Sequence, residues 1–231
     1  MKLITIHQPN FLPWPGFFHK WVLADAMVLL DTVQYEKNEW QNRNRIKTAS
    51  GVQWITVPVN YRYPQKIGEV MIADRRWVRK VCASIEQAYA KTPYFEAHWS
   101  PVREVLNHDY ERLVDLNVAL IRVLGAALGC DAPLQLASEI DVNHPDPTQR
   151  LIEICAEMNG DAYLSGQEGR AYLQREAFAQ SGLALYFQQV TAPVYPQLHS
   201  GFVSHLSALD LLFNTGNDAA GIIQNMGGMV Q

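Results

Sequence analysis

The fold class follows from residues 2–31, which read KLITIHQPNFLPWPGFFHKWVLADAMVLLD. Residues 2–7 are rich in apolar and β-branched side chains, and they predict a strand. The prolines over 8–16 predict a loop, and the apolar spacing from Gly16 to Ala24 predicts a short helix. The uninterrupted apolar run 26–30 is typical of a strand covered on both faces of a parallel sheet. Together these segments predict a strand–helix–strand unit.

The rest of the chain predicts the same alternation around a helical middle. Residues 44–48 and 54–59 predict a hairpin, and three helices are predicted within a helical insertion over about 74–130. Further strands and helices follow, including a helix over 170–180, and the glycine-rich end is expected to form only a weak cap or tail. We expect one α/β domain over 1–231, with a mainly parallel sheet, helices on both faces and a nucleotide-binding-like topology.

The composition is that of a globular protein. Hydrophobic residues make up 48% of the 231 residues, and 19 basic against 23 acidic side chains give a net charge of −4. This balance argues against a nucleic-acid binder, which would show a basic face. No apolar run reaches the roughly 20 residues of a membrane span, and no signal peptide is predicted, so we expect a cytoplasmic protein. Three widely spaced cysteines indicate buried thiols rather than a disulfide framework or zinc site. No metal site and no cofactor are predicted.

The loop after the first strand is the first candidate site. Ligands of open α/β sheets bind beyond the carboxyl ends of the strands, where His7, Gln8 and Asn10 lie. His7 is the candidate catalytic base because imidazole titrates near neutral pH. Gln8 and Asn10 would orient a substrate, and Trp14 would stack on a base or sugar. The alternative is a rigid turn whose polar groups only satisfy the backbone.

A short basic strand is the second candidate. Alternation along it places Arg43, Arg45 and Lys47 on one face, about 7 Å apart, and Asn42 and Asn44 on the other. Such a row suits a ligand with two or more negative charges, such as a diphosphate. The alternative is a solvated edge strand whose charges prevent aggregation.

The third candidate is the loop that begins at Ser165 and Gly166. A strand, a glycine-containing loop and a helix in succession can present backbone N–H groups to an anion. Glu168 argues against a phosphate and favours contact with a hydroxyl or amine, while Arg170 and Tyr172 are further contacts. The alternative is an ordinary turn between a strand and a helix.

Four segments resemble the WbqC-like protein family. They are HQPNFLPWPGFF at 7–18, NRNRIKT at 42–48, YLSG at 163–166 and LDLLFN at 209–214. The resemblance spans nearly the whole chain and the segments fall in the expected order. It implies an involvement in surface-polysaccharide or O-antigen biosynthesis and a transferase role. The sequence departs from the family at Gln167-Glu168-Gly169, where smaller, glycine-rich residues are usual.

The first half is also similar in topology to nucleotide-binding folds of the nucleotidyltransferase kind. Those folds carry two histidines flanking a glycine within four residues, whereas His7 and His19 are twelve apart here. That catalytic motif is therefore absent, and the likeness is one of topology.

The resemblance and the residues lead to one hypothesis and two alternatives. The hypothesis is a transferase acting on a nucleotide-activated sugar or another phosphorylated small molecule. The arginine row would hold phosphates, His7 would remove a proton, Gln8 and Asn10 would position the acceptor, and Ser165-Gly166 would form the opposite wall. The alternatives are a non-catalytic anionic-ligand-binding or scaffold protein of the same pathway, and a small-molecule tailoring enzyme. The transferred group stays open.

Overall fold

The computed structural model describes residues 1–231. In chain order its strands and α-helices are β1 (Leu3–His7), α1 (Pro15–Val22), β2 (Ala26–Leu29), β3 (Arg43–Thr48), β4 (Gly51–Thr56), β5 (Val59–Asn60), β6 (Met71–Ile72), α2 (Arg76–Tyr89), α3 (Phe95–Asn107), α4 (Leu113–Ala127), β7 (Leu134–Leu136), α5 (Pro147–Glu157), β8 (Ala162–Ser165), α6 (Arg175–Gln180), β9 (Ala184–Val190), α7 (Ala208–Thr215), α8 (Asp218–Gln224) and β10 (Gly227–Val230).

A six-stranded sheet forms the centre, in the order β10–β9–β8–β1–β2–β7. Every neighbouring pair is parallel except β9 and β10, which are antiparallel. The hairpin of β3 and β4 and the short pair of β5 and β6 lie outside this sheet. The predicted α/β class with a mainly parallel sheet is confirmed.

Two hydrophobic clusters cover the two faces of the sheet. Side chains alternate along a strand, so Ile4 and Val28 join a cluster of 16 buried residues with α5 and α6. Met27 and Leu29 point the other way, into a cluster of 40 buried residues. This double burial explains why β1 and β2 are apolar at nearly every position.

The helical middle of the chain belongs to the larger cluster. Helices α2, α3 and α4 contribute their apolar stripes to it, together with residues as distant in sequence as Phe11 and Met226. Gln188 of β9 and Asn117 of α4 are among the few polar side chains buried with them. None of the eight helices is both long and apolar enough to cross a bilayer.

Two sequence-based predictions were wrong. The helix expected over 170–180 is divided into a 3₁₀ turn, Gln167–Ala171, and α6, and Leu173 between them is buried. The glycine-rich end is not a tail but forms α8 and then β10 at the sheet edge. A Cβ atom on Gly227 would lie 2.1 Å from the carbonyl oxygen of Gln189, so this edge requires a glycine.

Candidate functional site

The carboxyl ends of β1 and β8 mark the point where the chain reverses its direction across the sheet. From β1 the chain adds β2 and later β7 on one side, whereas β8 and β9 are added on the other. Thr5 pairs with Leu164, so the two strands end side by side at His7 and Ser165. Parallel α/β sheets bind ligands outside such a reversal. The first and third predicted sites therefore lie side by side at this edge of the sheet, where a crevice is expected.

His7 is the last residue of β1, and its imidazole is mostly enclosed. Its Nδ1 lies 3.0 Å from the carbonyl oxygen of Gln8. A carbonyl only accepts, so Nδ1 carries the proton and the lone pair of Nε2 is left free. Burial, with a further contribution from the Lys20 charge, lowers the pKa of His7 to about 3. The imidazole is neutral at physiological pH and is a much weaker base than the sequence-based hypothesis requires.

Lys20 lies beside His7 and was missed by the sequence analysis. Its side chain is buried, and Nζ donates a hydrogen bond of 2.8 Å to the carbonyl oxygen of Ile6. Burial lowers the pKa of Lys20 to about 7, so this ammonium exchanges its proton near neutral pH. The available signal was a lysine placed between aromatic residues in the apolar helix α1.

Two asparagines fix the loop that follows β1. Asn117 of α4 donates from Nδ2 to the carbonyl oxygens of Pro9 and Gln41, both at 2.8 Å. Asn44 of β3 donates to two successive loop carbonyls, at 3.1 and 2.8 Å. The second of these belongs to Leu12, which is buried and held at φ 45°. A non-glycine residue in this region is strained, and such strain concentrates at functional sites.

Three buried amide oxygens around this loop have no protein partner. The Gln8 side chain accepts from Nε2 of Gln41, which leaves the Gln41 Oε1 atom unpartnered. Asn42 donates to a backbone carbonyl, and its Oδ1 is unpartnered, as is the Oδ1 of Asn117. Asn10 is buried nearby in sequence. Buried polar groups normally have partners, so these three amide oxygens are exceptions among the buried polar atoms.

Arg43 and Arg45 lie on the outer face of the β3–β4 hairpin, as predicted from alternation. The Arg43 guanidinium is 4.2 Å from the ring centroid of Trp54, and Arg45 lies 5.8 Å from Trp54 and 5.6 Å from Trp40. Arg45 donates from Nη2 to the carbonyl oxygen of His205 at 2.8 Å. Neither arginine belongs to any of the five ion pairs in the molecule. The two charges are held by aromatic rings and are not neutralised.

Lys47, the third member of the row, uses all its hydrogen-bond donors within the protein. It is buried, and its Nζ donates to Oε1 of Gln197 at 3.2 Å, to the carbonyl oxygen of His199 at 3.0 Å and to that of Gly201. The expectation that Lys47 holds a phosphate therefore does not fit, because all three ammonium protons have acceptors. The lysine ties the hairpin to the loop before α7.

Asp210 of α7 also holds the loop before α7, through hydrogen bonds to two of its side chains. Its Oδ2 accepts hydrogen bonds of 2.8 Å from the hydroxyl of Tyr195 and from Nε2 of Gln197. Burial raises the pKa of Asp210, while these hydrogen bonds and the charge of Lys47 act in the opposite direction. The loop is thus fixed by a buried polar network rather than by apolar packing alone.

His205 joins this loop to the one after β1. Its ring stacks on Trp14 with the centroids 5.7 Å apart. Both line a small pocket of only about 10 Å³, which is completed by Pro15, Ala192, Pro193, Tyr195, Phe202, Ser204 and Leu206. His205 and His199 have φ values of 57° and 72°, so this loop is strained as well. No hydrogen bond or ring contact joins His7 directly to either arginine.

The loop after β8 contributes its first residues to the crevice. Ser165 is buried, and a Cβ atom on Gly169 would lie 2.0 Å from its Oγ, so the turn packs closely on this serine. Gly166 has open space beside it. The remaining predicted contacts, Glu168, Arg170 and Tyr172, are exposed on the 3₁₀ turn, and the Arg170 guanidinium lies 5.1 Å from the Phe187 ring. No hydrogen bond, ion pair or ring contact joins these three residues to Arg43 or Arg45.

The sequence analysis missed the aromatic partners of the arginines. Trp54 is the cross-strand partner of Arg45 in the hairpin register, which alternation alone could have indicated. Trp40 and His205 reach the site from loops and give no periodic signal. No three His, Cys, Asp or Glu side chains are close enough together to hold a metal ion.

One family model and one curated relative match the chain. The model of the WbqC-like protein family matches residues 8–222. The chain is also similar to the uncharacterised protein Rv1507c of Mycobacterium tuberculosis (strain ATCC 25618 / H37Rv), with 35% identity over 226 residues that cover 95% of this chain and 96% of the relative. No solved structure matches the chain. The chain belongs to the WbqC-like protein family.

Proposed function

We propose that this protein is a transferase of surface-polysaccharide biosynthesis that acts on a nucleotide-activated sugar or a similar phosphorylated donor. The observation that carries the proposal is the pair Arg43 and Arg45. Both lie on one strand face, with guanidinium carbons 4.2 and 5.6 Å from an indole centroid, and neither has a carboxylate partner. A fixed pair of guanidinium groups suits the two phosphates of an activated donor. The link to polysaccharides comes from the family resemblance.

The separation of the arginines from His7 favours an extended ligand. Gln41 connects the start of β3 to Gln8, and His205 connects Arg45 to Trp14, so the arginine pair and the end of β1 are linked through these contacts. The phosphates would bind at the arginines, and the reacting end would reach Gln8 and His7. Ser165 and Gly166 would form the far wall.

His7 has a different role in this proposal from that of a strong general base. With Nδ1 protonated and the pKa lowered to about 3, its free Nε2 accepts a hydrogen bond from the attacking hydroxyl or amine and orients it. Gln8 and Asn10 would position the same acceptor. Lys20 is the group beside His7 that changes charge near neutral pH.

A turnover assay with a panel of nucleotide sugars and acyl donors tests the proposal. The wild type is expected to form product, His7→Ala to bind the donor but turn over at least 100-fold more slowly, and the double variant Arg43→Gln/Arg45→Gln to lose donor binding. Val52→Thr, an exposed change on the same hairpin, is the control. A wild type that forms no product with any donor contradicts the transferase.

The weak basicity of His7 favours a second candidate, a non-catalytic protein that binds an anionic ligand for other enzymes of the pathway. This candidate shares the arginine site and predicts donor binding without turnover. In that case His7→Ala has no effect on any reaction, and only the double arginine variant changes the measured behaviour.

A further inference from the structure

We infer that Trp40 and Trp54 form a stacking site for a nucleobase, so that the ligand of the arginine pair is a nucleoside diphosphate rather than a simple phosphate ester. The inference rests on the proposed phosphate site at Arg43 and Arg45 and adds the group that lies next to those phosphates.

The first argument is the exposure of the two indole rings. Trp40 and Trp54 are 38% and 43% exposed, although their centroids are only 5.4 Å apart with the planes tilted by 37°. Two large aromatic side chains that meet and still keep this much surface in water form a local apolar patch. Such patches on a folded chain mark binding sites, and a flat base covers indole surface well.

The second argument is the orientation of the arginines. A guanidinium that stacks on an indole uses its face, and the N–H groups on its edge remain available to an anion. The Nε atoms of Arg43 and Arg45 are buried, so an anion would be bound by the terminal Nη groups, of which Nη2 of Arg45 already donates to the carbonyl oxygen of His205.

The third argument is the order of groups along the surface. Indoles lie against the arginines, and Gln41 leads from there to Gln8 at the crevice. A nucleotide sugar has the same order, with a base, a diphosphate and a sugar in succession. A free phosphate would not need the indoles, and a neutral glycan would not need two unpaired cations.

The competing explanation is that the rings only stabilise the hairpin. Arg45 and Trp54 face each other across β3 and β4, and cross-strand pairs of this kind stabilise two-stranded sheets. This explanation predicts that removing Trp54 changes stability but has the same effect on ligands with and without a base.

Isothermal titration of the full-length protein separates the two explanations. The probes are a set of nucleoside diphosphates (UDP, GDP, CDP, ADP and dTDP) and inorganic pyrophosphate, which has no base. For at least one nucleotide we expect Trp54→Leu and Trp40→Leu each to weaken binding about 10-fold, while pyrophosphate affinity stays within about twofold. Trp54→Phe, which keeps an aromatic face, should retain most of the affinity. Tyr63→Leu, a change at another exposed aromatic, is the control.

Each other outcome has a definite meaning. Equal weakening of nucleotide and pyrophosphate shows that Trp54 only positions the arginines and overturns the inference. Wild-type binding of pyrophosphate with no preference for any nucleotide also overturns it, but leaves the phosphate site intact. Absence of binding to every probe, pyrophosphate included, refutes the phosphate site on which the proposed function depends. If Trp54→Leu does not fold, Trp54→Phe and Trp40→Leu decide the question.

Discussion

The ammonium of Lys20 donates a hydrogen bond of 2.8 Å to the carbonyl oxygen of Ile6 and has no carboxylate within ion-pair distance. The lysine is therefore solvated by one backbone oxygen beneath the crevice, where a charge is expensive to bury. The pKa of Lys20 therefore reports how far water is excluded from the carboxyl end of β1.

Replacing Lys20 by Met should remove a pH dependence of stability. The folded pKa of about 7 lies below the ordinary value of 10.5, so the unfolded chain binds more protons between these values. Lys20 therefore makes the wild type more stable as the pH rises through this window, by up to about 1.4 kcal/mol per pH unit. Guanidinium unfolding at pH 7.5, 8.5 and 9.5 measures the difference between wild type and Lys20→Met. Parallel curves for the two proteins would show that the lysine is not desolvated.

His7→Gln should make the protein less sensitive to acid. The pKa of His7 is lowered to about 3 in the folded chain, so the unfolded chain binds more protons between pH 6.5 and 3. The wild type should lose about 2 kcal/mol through this group when the pH falls from 7 to 4.5. The variant should lose that much less over the same range, measured by urea unfolding. His108→Gln, at an exposed histidine, should behave as the wild type.

Substitutions of Lys47 and Arg43 should have different effects on stability and binding, although the two residues lie on the same strand face. Lys47→Met removes a buried ammonium that donates to three part-buried acceptors, and it should lower the free energy of unfolding by about 2 kcal/mol. Arg43→Gln removes one ring contact at a half-exposed site and should cost under about 1 kcal/mol. In return, Arg43→Gln should weaken pyrophosphate binding at least fivefold. Equal stability of the two variants contradicts the structural role of Lys47.

Two glycines of one loop provide a matched pair. A Cβ atom on Gly169 would lie 2.0 Å from Oγ of Ser165, whereas Gly166 has nothing within 4 Å. Gly169→Ala should therefore destabilise the protein by about 1–3 kcal/mol through overpacking, and it should displace Ser165 from the crevice. Gly166→Ala should change stability by less than about 0.5 kcal/mol. Thermal unfolding of both variants checks this, and a tolerant position 169 would mean that the turn is loosely packed.

The central sheet could be predicted from sequence because its signals are local. The apolar runs of β1 and β2 and the proline-rich loop between them are continuous in the chain, and they identified the parallel unit. Alternation along β3 also placed Asn44 and Arg43 on opposite faces, and in the structure Asn44 is buried while Arg43 is half-buried. These features depend only on neighbouring residues and a period of two.

The roles of the site residues could not all be predicted from sequence, because the groups that contact them are distant in the chain. Lys47 looked like Arg43 and Arg45, but its acceptors lie about 150 residues later in the chain. The weak basicity of His7 depends on burial by tertiary packing and on Lys20 of the next helix. β10 was missed because glycine-rich sequence has a low intrinsic preference for strands, and only pairing with β9 makes it one.

The left-handed backbone at His205 places an aromatic ring on Trp14 at some cost in conformational free energy. A histidine at φ 57° lies in the left-handed region, which asparagine adopts more easily because its short side chain bonds to the nearby backbone. His205→Asn should therefore raise the melting temperature slightly, as differential scanning calorimetry would show, and it would remove the ring that covers Trp14. A variant selected for heat resistance at this position would thus have lost the ring packed on Trp14.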